Sequence, residues 1–349
     1  MAAATALAAL AACTTGAEQA PAPTVTATTA SPTGTGQPTL TGEITPIHDP
    51  ALIVADGTWY VFSTGRVRRE NGGTIQIWTS PDGVAWSAAG SVWDEIPAWI
   101  DKRFAGGVLP DNLWAPEIHE HDGTFYLYYS ASRFGTDDSV TALATNTTLD
   151  PKDPDYRWKD QGPVLVSPVA DLDRGDPSVT FNAIDAGIIE DSQGQPFMTI
   201  GSFWSGIFLV PLEWPSGKPV KGWKAKTVHL AQRQVEGDPI EAAYITRHQD
   251  YFYLFVSFDL CCRGADSTYK IAVGRSRSVQ GPYVDRDGTK MLEGGGTDIL
   301  ETDGDQVGPG GQSVFDDTLA FHFYDGVTGY VPTLGLRRID WSAGWPSVT

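Results

Sequence analysis

The chain has 349 residues and a formal net charge of −19, with 38 glycines, 12 tryptophans, 12 tyrosines and 14 phenylalanines. That charge excludes nucleic acid as a partner, because phosphates need Lys and Arg to neutralise them, and it opposes binding to anionic lipid surfaces for the same reason. A neutral ligand such as a carbohydrate is compatible with it; the acidity also serves simply to keep a secreted protein in solution.

Residues 1–13, MAAATALAALAAC, form an Ala/Leu run too short to stay in a bilayer as a helix. Its end, Leu10-Ala11-Ala12-Cys13, resembles the lipobox of a bacterial lipoprotein signal, in which the cysteine is lipidated. No basic stretch precedes the run, so the natural start is expected upstream of Met1; the alternative is a plain signal peptide. Residues 14–39 are rich in Thr, Pro and Ala. A stretch that buries so little apolar surface is expected to be disordered and to act as a tether. The expected localisation is extracellular or at the cell surface, with the folded domain spanning residues 40–349.

From Thr45 the chain repeats one design. TPIHDPALIVADGTWYVFSTG sets an acidic residue before a short apolar strand, an Asp-Gly turn and an aromatic strand. LWAPEIHEHDGTFYLYYSAS from Leu113, NAIDAGIIEDSQGQPFMTIGSF from Asn182 and IEAAYITRHQDYFYLFVSF from Ile240 echo it, with a degraded copy, GGQSVFDDTLAFHFYD, from Gly310. Five strand-rich hairpins spaced roughly 55–70 residues apart are the signature of a five-bladed β-propeller, and long amphipathic helical patterns are missing. Further strands follow each hairpin, with Ser80-Pro81-Asp82-Gly83 as a tight turn in blade one and Ser132-Arg133-Phe134-Gly135 as a loop facing the ligand in blade two.

Asp49 lies eleven residues before Tyr60, and Glu241 eleven before Phe252, which assigns the two carboxylates equivalent places in their blades. Asp185 begins the same kind of strand in blade three. Each has apolar or small neighbours, and taken alone each reads as a turn or surface residue. Grouped round one axis, desolvated carboxyls drive their pKa values apart, which is what glycosidic bond cleavage requires. Trp114 and Trp204, at strand ends, serve as sugar-stacking platforms or as core. No G-x-S-x-G, P-loop, Rossmann fingerprint or H-E-x-x-H occurs. Three cysteines are too few for a disulfide framework, and no C-x-x-C or Cys/His spacing points to zinc.

The strings HDP (48–50), LWAPEI (113–118), FYLYYSAS (125–132), DPDYRW (153–158), NAID (182–185), GSFW (201–204), IEA (240–242), CCRG (261–264), STY (267–269), VGRS (273–276) and GPY (281–283) together resemble the arabinanases of glycoside hydrolase family 43. The resemblance runs from about His48 to Trp345. It implies a five-bladed propeller that cleaves α-1,5-linked L-arabinan internally with inversion, Asp49 as general base, Glu241 as general acid and Asp185 tuning the acid. It implies that His48, Trp114, Gly135, Asn182, Ile184, Ser202 and Trp204 line the substrate groove, and that Cys261-Cys262 is a structural pair beside it. The expected partners are arabinan or arabino-oligosaccharides, met by a monomer that touches membrane only through a lipid on Cys13.

Three departures from the family stand out. Ala243 follows Glu241-Ala242 where the family has Pro, DRGDPSVTF before NAID is longer and more polar, and the family's Gly-His-Asn appears as Gly310-Gly311-Gln312. That histidine holds a ring-centre metal in the family. Its absence here leaves His322 as the nearest replacement ligand, and the expectation is no required cofactor, with at most a weakly held ion or water on the axis. The rival readings are an exo-acting α-L-arabinofuranosidase or β-xylosidase on the same scaffold, and a lapsed propeller that only binds arabinan.

Overall fold

Each hairpin read from the sequence forms the inner pair of strands of one small sheet in the computed structural model, which describes residues 39–169, 172 and 179–348. Residues 1–38, with the signal, Cys13 and most of the tether, lie outside the described residues, as do Asp173–Ser178 of the polar segment before NAID.

Blade one holds β1 (Thr41–Gly42), β2 (Ala51–Ala55), β3 (Thr58–Ser63), β4 (Gln76–Ser80) and β5 (Ala85–Ser91). Blade two holds β6 (Trp114–His121), β7 (Thr124–Ser132), β8 (Ser139–Asn146) and β9 (Lys159–Val166). Blade three holds β10 (Gly187–Glu190), β11 (Pro196–Ile200), β12 (Ile207–Glu213), β13 (Lys218–Pro219) and β14 (Val228–Ala231). Blade four holds β15 (Ile240–His248), β16 (Tyr251–Phe258), β17 (Lys270–Ser276) and β18 (Thr297–Leu300). Blade five holds β19 (Gln306–Phe315), β20 (Thr318–Asp325), β21 (Val331–Asp340) and β22 (Ser347–Val348). Asp56-Gly57 and Asp122-Gly123 turn their hairpins with φ positive at both residues, the backbone that suits a two-residue loop between twisted strands.

Strand alternation explains why so many of these strands are buried along their whole length. Leu127 and Tyr129 of β7 face the cluster shared by blades one and two, while Tyr126 and Tyr128 face that of blades two and three. In β16, Leu254 and Val256 serve blades three and four, and Tyr253 and Phe255 serve blades four and five. Successive side chains point to opposite faces, so one strand supplies two interfaces and both of its faces are dry.

The fifth interface closes the ring. Ile47, Leu52, Val61, Trp78 and Trp86 of blade one pack on Ala320 and Leu334 of blade five. Among the described residues no terminal strand crosses into the other end's blade; β1 pairs in parallel with β5 of its own blade. Closure comes instead from the segment before β2: the Leu334 amide donates to Ile44 O at 3.0 Å and the Ile47 amide to Pro332 O at 2.9 Å. The Ser313 hydroxyl donates to Pro50 O and accepts from the Leu52 amide, fastening β2 to β19.

Candidate active site

Each inner strand contains or closely follows a left-handed residue at the axis: Asp49 (φ 51°), Ala115 (φ 38°), Asp185 (φ 60°), Ala242 (φ 51°) and Gly311 (φ 60°). For a non-glycine residue this backbone costs about 1–2 kcal/mol, and such conformations persist where surrounding contacts over-determine them. These five positions are the true equivalents between blades. Asp49 and Asp185 occupy two of them, whereas Glu241 stands one residue earlier, where blade one has His48. The expected equivalence of Asp49 and Glu241 therefore slips by one residue. Asp49 stands seven residues before the left-handed turn residue Asp56, and Ala242 seven before Gln249, but the partner in β16 equivalent to Tyr60 is Tyr253, so counting back from Phe252 misaligns the two.

Asp49 is held as an ionised carboxylate. Its Oδ2 accepts from His48 Nδ1 and from the Thr64 hydroxyl, both at 2.7 Å. Burial alone raises its pKa, but the charge and hydrogen bond of His48, together with His322 and Thr64, bring it down to about 2. Burial pulls the His48 imidazole the other way from Asp49, and Asp49 prevails, so the pKa of His48 is raised.

Glu241 and Asp185 are held towards the protonated form. Burial raises the pKa of Glu241 and the Asp49 charge adds to it, against the hydrogen bonds from Ser202 and Tyr269. Those bonds fix the carboxyl: the Ser202 hydroxyl donates to Oε2 at 2.6 Å and the Tyr269 phenol to Oε1 at 2.8 Å. Asp185 is raised well above the usual range by burial and then by the Glu241 and Asp49 charges, with only the Ala242 amide, at 3.1 Å, donating to it. One ionised and one protonated carboxyl at a single axis is the equipment for acid–base cleavage. A fourth carboxyl, Glu117 on β6, is buried at the same axis and raised to about 8, chiefly by burial.

Tyr269 depends on a glycine. A Cβ at Gly310 would stand 2.1 Å from the Tyr269 ring, a distance no packing tolerates. Gly310→Ala is expected to push the phenol off Glu241 and lower kcat at least tenfold with KM little changed. Wild-type kcat in that variant, with the fold verified by circular dichroism, would remove Tyr269 from the acid's environment.

The residues expected along the groove fall at two depths. His48 and Trp114 are partly exposed, Gly135 sits on an open loop, and Trp204 is 39% exposed. Trp204 lines a cleft of about 420 Å³ with Phe203, Val235, Gly237 and Asp238. Asn182, Ile184 and Ser202 lie beneath, buried; Asn182 Oδ1 accepts from the Ser139 hydroxyl, and Ser202 is committed to Glu241. Phe134, 83% exposed, lies edge-on to Trp114 with centroids 6.5 Å apart. Sequence reasoning missed Thr64, Tyr269 and Tyr324 as site residues, because nothing in spacing links them to partners far along the chain.

The family's ring-centre metal does not fit the residues present. A Cβ at Gly311 would lie 2.5 Å from Asp49 Oδ1 and 2.7 Å from His322 Nδ1, so the His322 ring occupies the space a side chain there would need. His322 Nδ1 accepts from the Asp49 amide at 3.1 Å. The ring is neutral, since burial and the neighbouring His48 push its pKa well below the usual value against the pull of Asp49. Its hydrogen is then on Nε2, which is buried and without a partner. A nitrogen bearing hydrogen donates and cannot ligate a cation.

A family model described as glycosyl hydrolases family 43 matches residues 36–346. The chain is 39% identical to an extracellular exo-α-(1→5)-L-arabinofuranosidase of Cellvibrio japonicus, over 86% of each chain. It is 38% identical to an extracellular endo-α-(1→5)-L-arabinanase of Bacillus subtilis, over 86% of this chain and 87% of that one. A solved structure of the α-L-arabinanase of Cellvibrio cellulosa in complex with arabinohexaose superposes with a TM-score of 0.77 at 36% identity, covering 88% of this chain and 96% of that one. With five blades and a cluster of carboxyls at the axis, the chain belongs to glycosyl hydrolases family 43 and is a glycosidase.

Proposed function

We propose that the protein hydrolyses α-1,5-linked L-arabinan within the chain, with inversion, using Asp49 as general base and Glu241 as general acid. The observation that carries this reading is the opposed environment of the two groups: Asp49 is held down by His48 and Thr64, whereas burial and the Asp49 charge raise Glu241. The nature of the substrate follows from the relatives named above.

In this mechanism Glu241 protonates the glycosidic oxygen as the bond breaks. Its two bonds from Ser202 and Tyr269 fix the carboxyl plane while leaving its own hydrogen free to point at the sugar. Asp49 takes a proton from a water that attacks the anomeric carbon from the opposite face. Inverting enzymes keep the two carboxyls roughly 6.5–9.5 Å apart to admit that water, and blades one and four bring theirs to the axis from different sides. Asp185 shares the site as a neutral neighbour whose own ionisation the charges of Glu241 and Asp49 resist.

The endo mode is supported by exposed aromatic surface on two sides of the site, Trp114 with Phe134 by blade two and Trp204 with its cleft between blades three and four. The Cellvibrio japonicus relative gives the exo reading its weight. Product sizes from linear arabinan discriminate them: a ladder of mixed oligosaccharides is expected, and a single short product from the first minutes would establish exo action. We place the activity outside the cell, as in the relatives named extracellular; activity confined to the cytosol of the producing cell would contradict that.

No metal takes part in this reading. Exhaustive EDTA treatment is expected to leave activity and melting temperature within error of the untreated enzyme. Loss of both, restored by a stoichiometric divalent cation, would overturn it.

A further inference from the structure

Beside the carboxylate of Asp49 the groove rim carries groups that hydrolysis does not use. Cys261 and Cys262 are joined in a disulfide between adjacent residues. Cys262 Sγ lies 3.8 Å from His48 Nε2, and the two sulfurs and this nitrogen are all within 4.8 Å of one another. The Cys262 amide donates to Tyr324 Oη at 2.7 Å, and that hydroxyl meets His48 Nε2 at 3.0 Å. On its other edge the same imidazole donates from Nδ1 to Asp49 Oδ2, and its face stacks on His322 at 3.7 Å. The ring is therefore fixed, with Nε2 between the Tyr324 hydroxyl and the sulfur of Cys262.

As a disulfide the pair has no thiolate to offer. Reduced, it has two, tethered by a Cα–Cα distance of 3.8 Å. Tetrahedral bonds of about 2.3 Å from zinc set two sulfurs about 3.8 Å apart, a span that adjacent side chains reach without moving the backbone far. Two thiolates and an imidazole with one open position suit zinc or cadmium, because soft sulfur ligands select such ions. Metal-bound histidines generally donate their other N–H to a carboxylate, which orients the ring and strengthens it as a ligand. Asp49 already stands in that place. The cysteine spacing in the sequence could not show this site, since the imidazole comes from the far end of the chain.

We propose that reduction of the Cys261–Cys262 bond creates a metal site from the two sulfurs and His48 Nε2, and that zinc or cadmium bound there stops hydrolysis. A dithiol reductant is oxidised to its own disulfide as the Cys261–Cys262 bond breaks, and each cysteine sulfur takes a proton. Both protons leave to solvent when the divalent ion binds, and Tyr324 gives up its contact with Nε2. The ion would stand at the groove rim beside Asp49, where it and the group filling its fourth position obstruct the sugar. The loss of activity rests on the reading of this axis as the site of hydrolysis; the binding does not.

The test uses the full chain, reduced without oxygen by dithiothreitol, desalted, and titrated with Cd²⁺ alone. Binding is read by equilibrium dialysis and by the ultraviolet sulfur-to-cadmium charge-transfer band. Reduced protein should bind one more Cd²⁺ per chain than oxidised protein, the Cys261→Ser/Cys262→Ser double variant, which keeps Cys13, should lose that equivalent, and His48→Gln should weaken it at least tenfold. Activity of the reduced enzyme should fall at least tenfold with Cd²⁺ or Zn²⁺ and return with EDTA, while the oxidised enzyme is unaffected. Equal binding by reduced and oxidised protein, or undiminished binding by His48→Gln, overturns the site. Cadmium bound as described with hydrolysis unimpaired overturns the switch, and Asp49→Ala measured on the oxidised, metal-free enzyme then shows separately whether the base assignment stands.

Discussion

Glu241→Ala should reduce kcat on arabinan by about 10²–10⁴-fold, the usual loss when a general acid is removed, with the fold intact. The loss should be much smaller on an arabinofuranoside whose leaving group is a nitrophenolate, because such a group departs without a proton. That contrast separates a missing acid from a disturbed groove, which would weaken both substrates alike. Asp185→Asn supplies the electrostatic companion. Burial raises both carboxyls, and the charges of Glu241 and Asp49 raise Asp185 further, which keeps Asp185 neutral beside the acid. A neutral Asp185 puts no charge on Glu241, so in Asp185→Asn the alkaline limb of the pH–rate profile should stay in place. A limb that moves towards acid would show Asp185 ionised beside Glu241 and contradict that reading.

Asp49→Ala should cost about as much, 10²–10⁴-fold in kcat, on both kinds of substrate, since water must be activated whatever the leaving group. The pH profile adds a signed check. Asp49 is ionised above about 2, so as pH falls the base is lost only near that value, and an acid limb well above it belongs to another group. His48 holds Asp49 down through its charge and hydrogen bond. In His48→Gln the pKa of Asp49 should therefore rise and the acid limb should move to higher pH. A variant of Asp49 that keeps more than about a tenth of wild-type activity would remove it from the mechanism.

The blades were readable because each hairpin repeats the same local chemistry: an apolar strand, a turn residue that tolerates positive φ, and an aromatic strand. The positions of Asp49, Asp185 and Glu241 at one axis followed from that repetition. The slip of Glu241 by one residue did not, because the equivalent of Tyr60 is Tyr253 rather than Phe252, a register that only the strand pairing reveals. The partners of the carboxyls were illegible for a different reason. Tyr269 reaches Glu241 only because Gly310, on the next blade, leaves room for its ring, and Tyr324 reaches His48 across the ring closure between blades five and one. Ser202, expected to line the groove, is instead buried against the acid. His322 was legible as a histidine near Gly311, yet its orientation depends on the Asp49 amide, a backbone contact that only the left-handed conformation of Asp49 brings about.

The assignment of one base and one acid on opposite faces of the sugar is tested most directly by the anomer first released. Proton NMR of the opening minutes of hydrolysis of an α-1,5-linked arabino-oligosaccharide should show the new reducing end as the β-anomer, followed by slow mutarotation. If the α-anomer appears first, configuration is retained, no water stands between Asp49 and the sugar, and the account is contradicted.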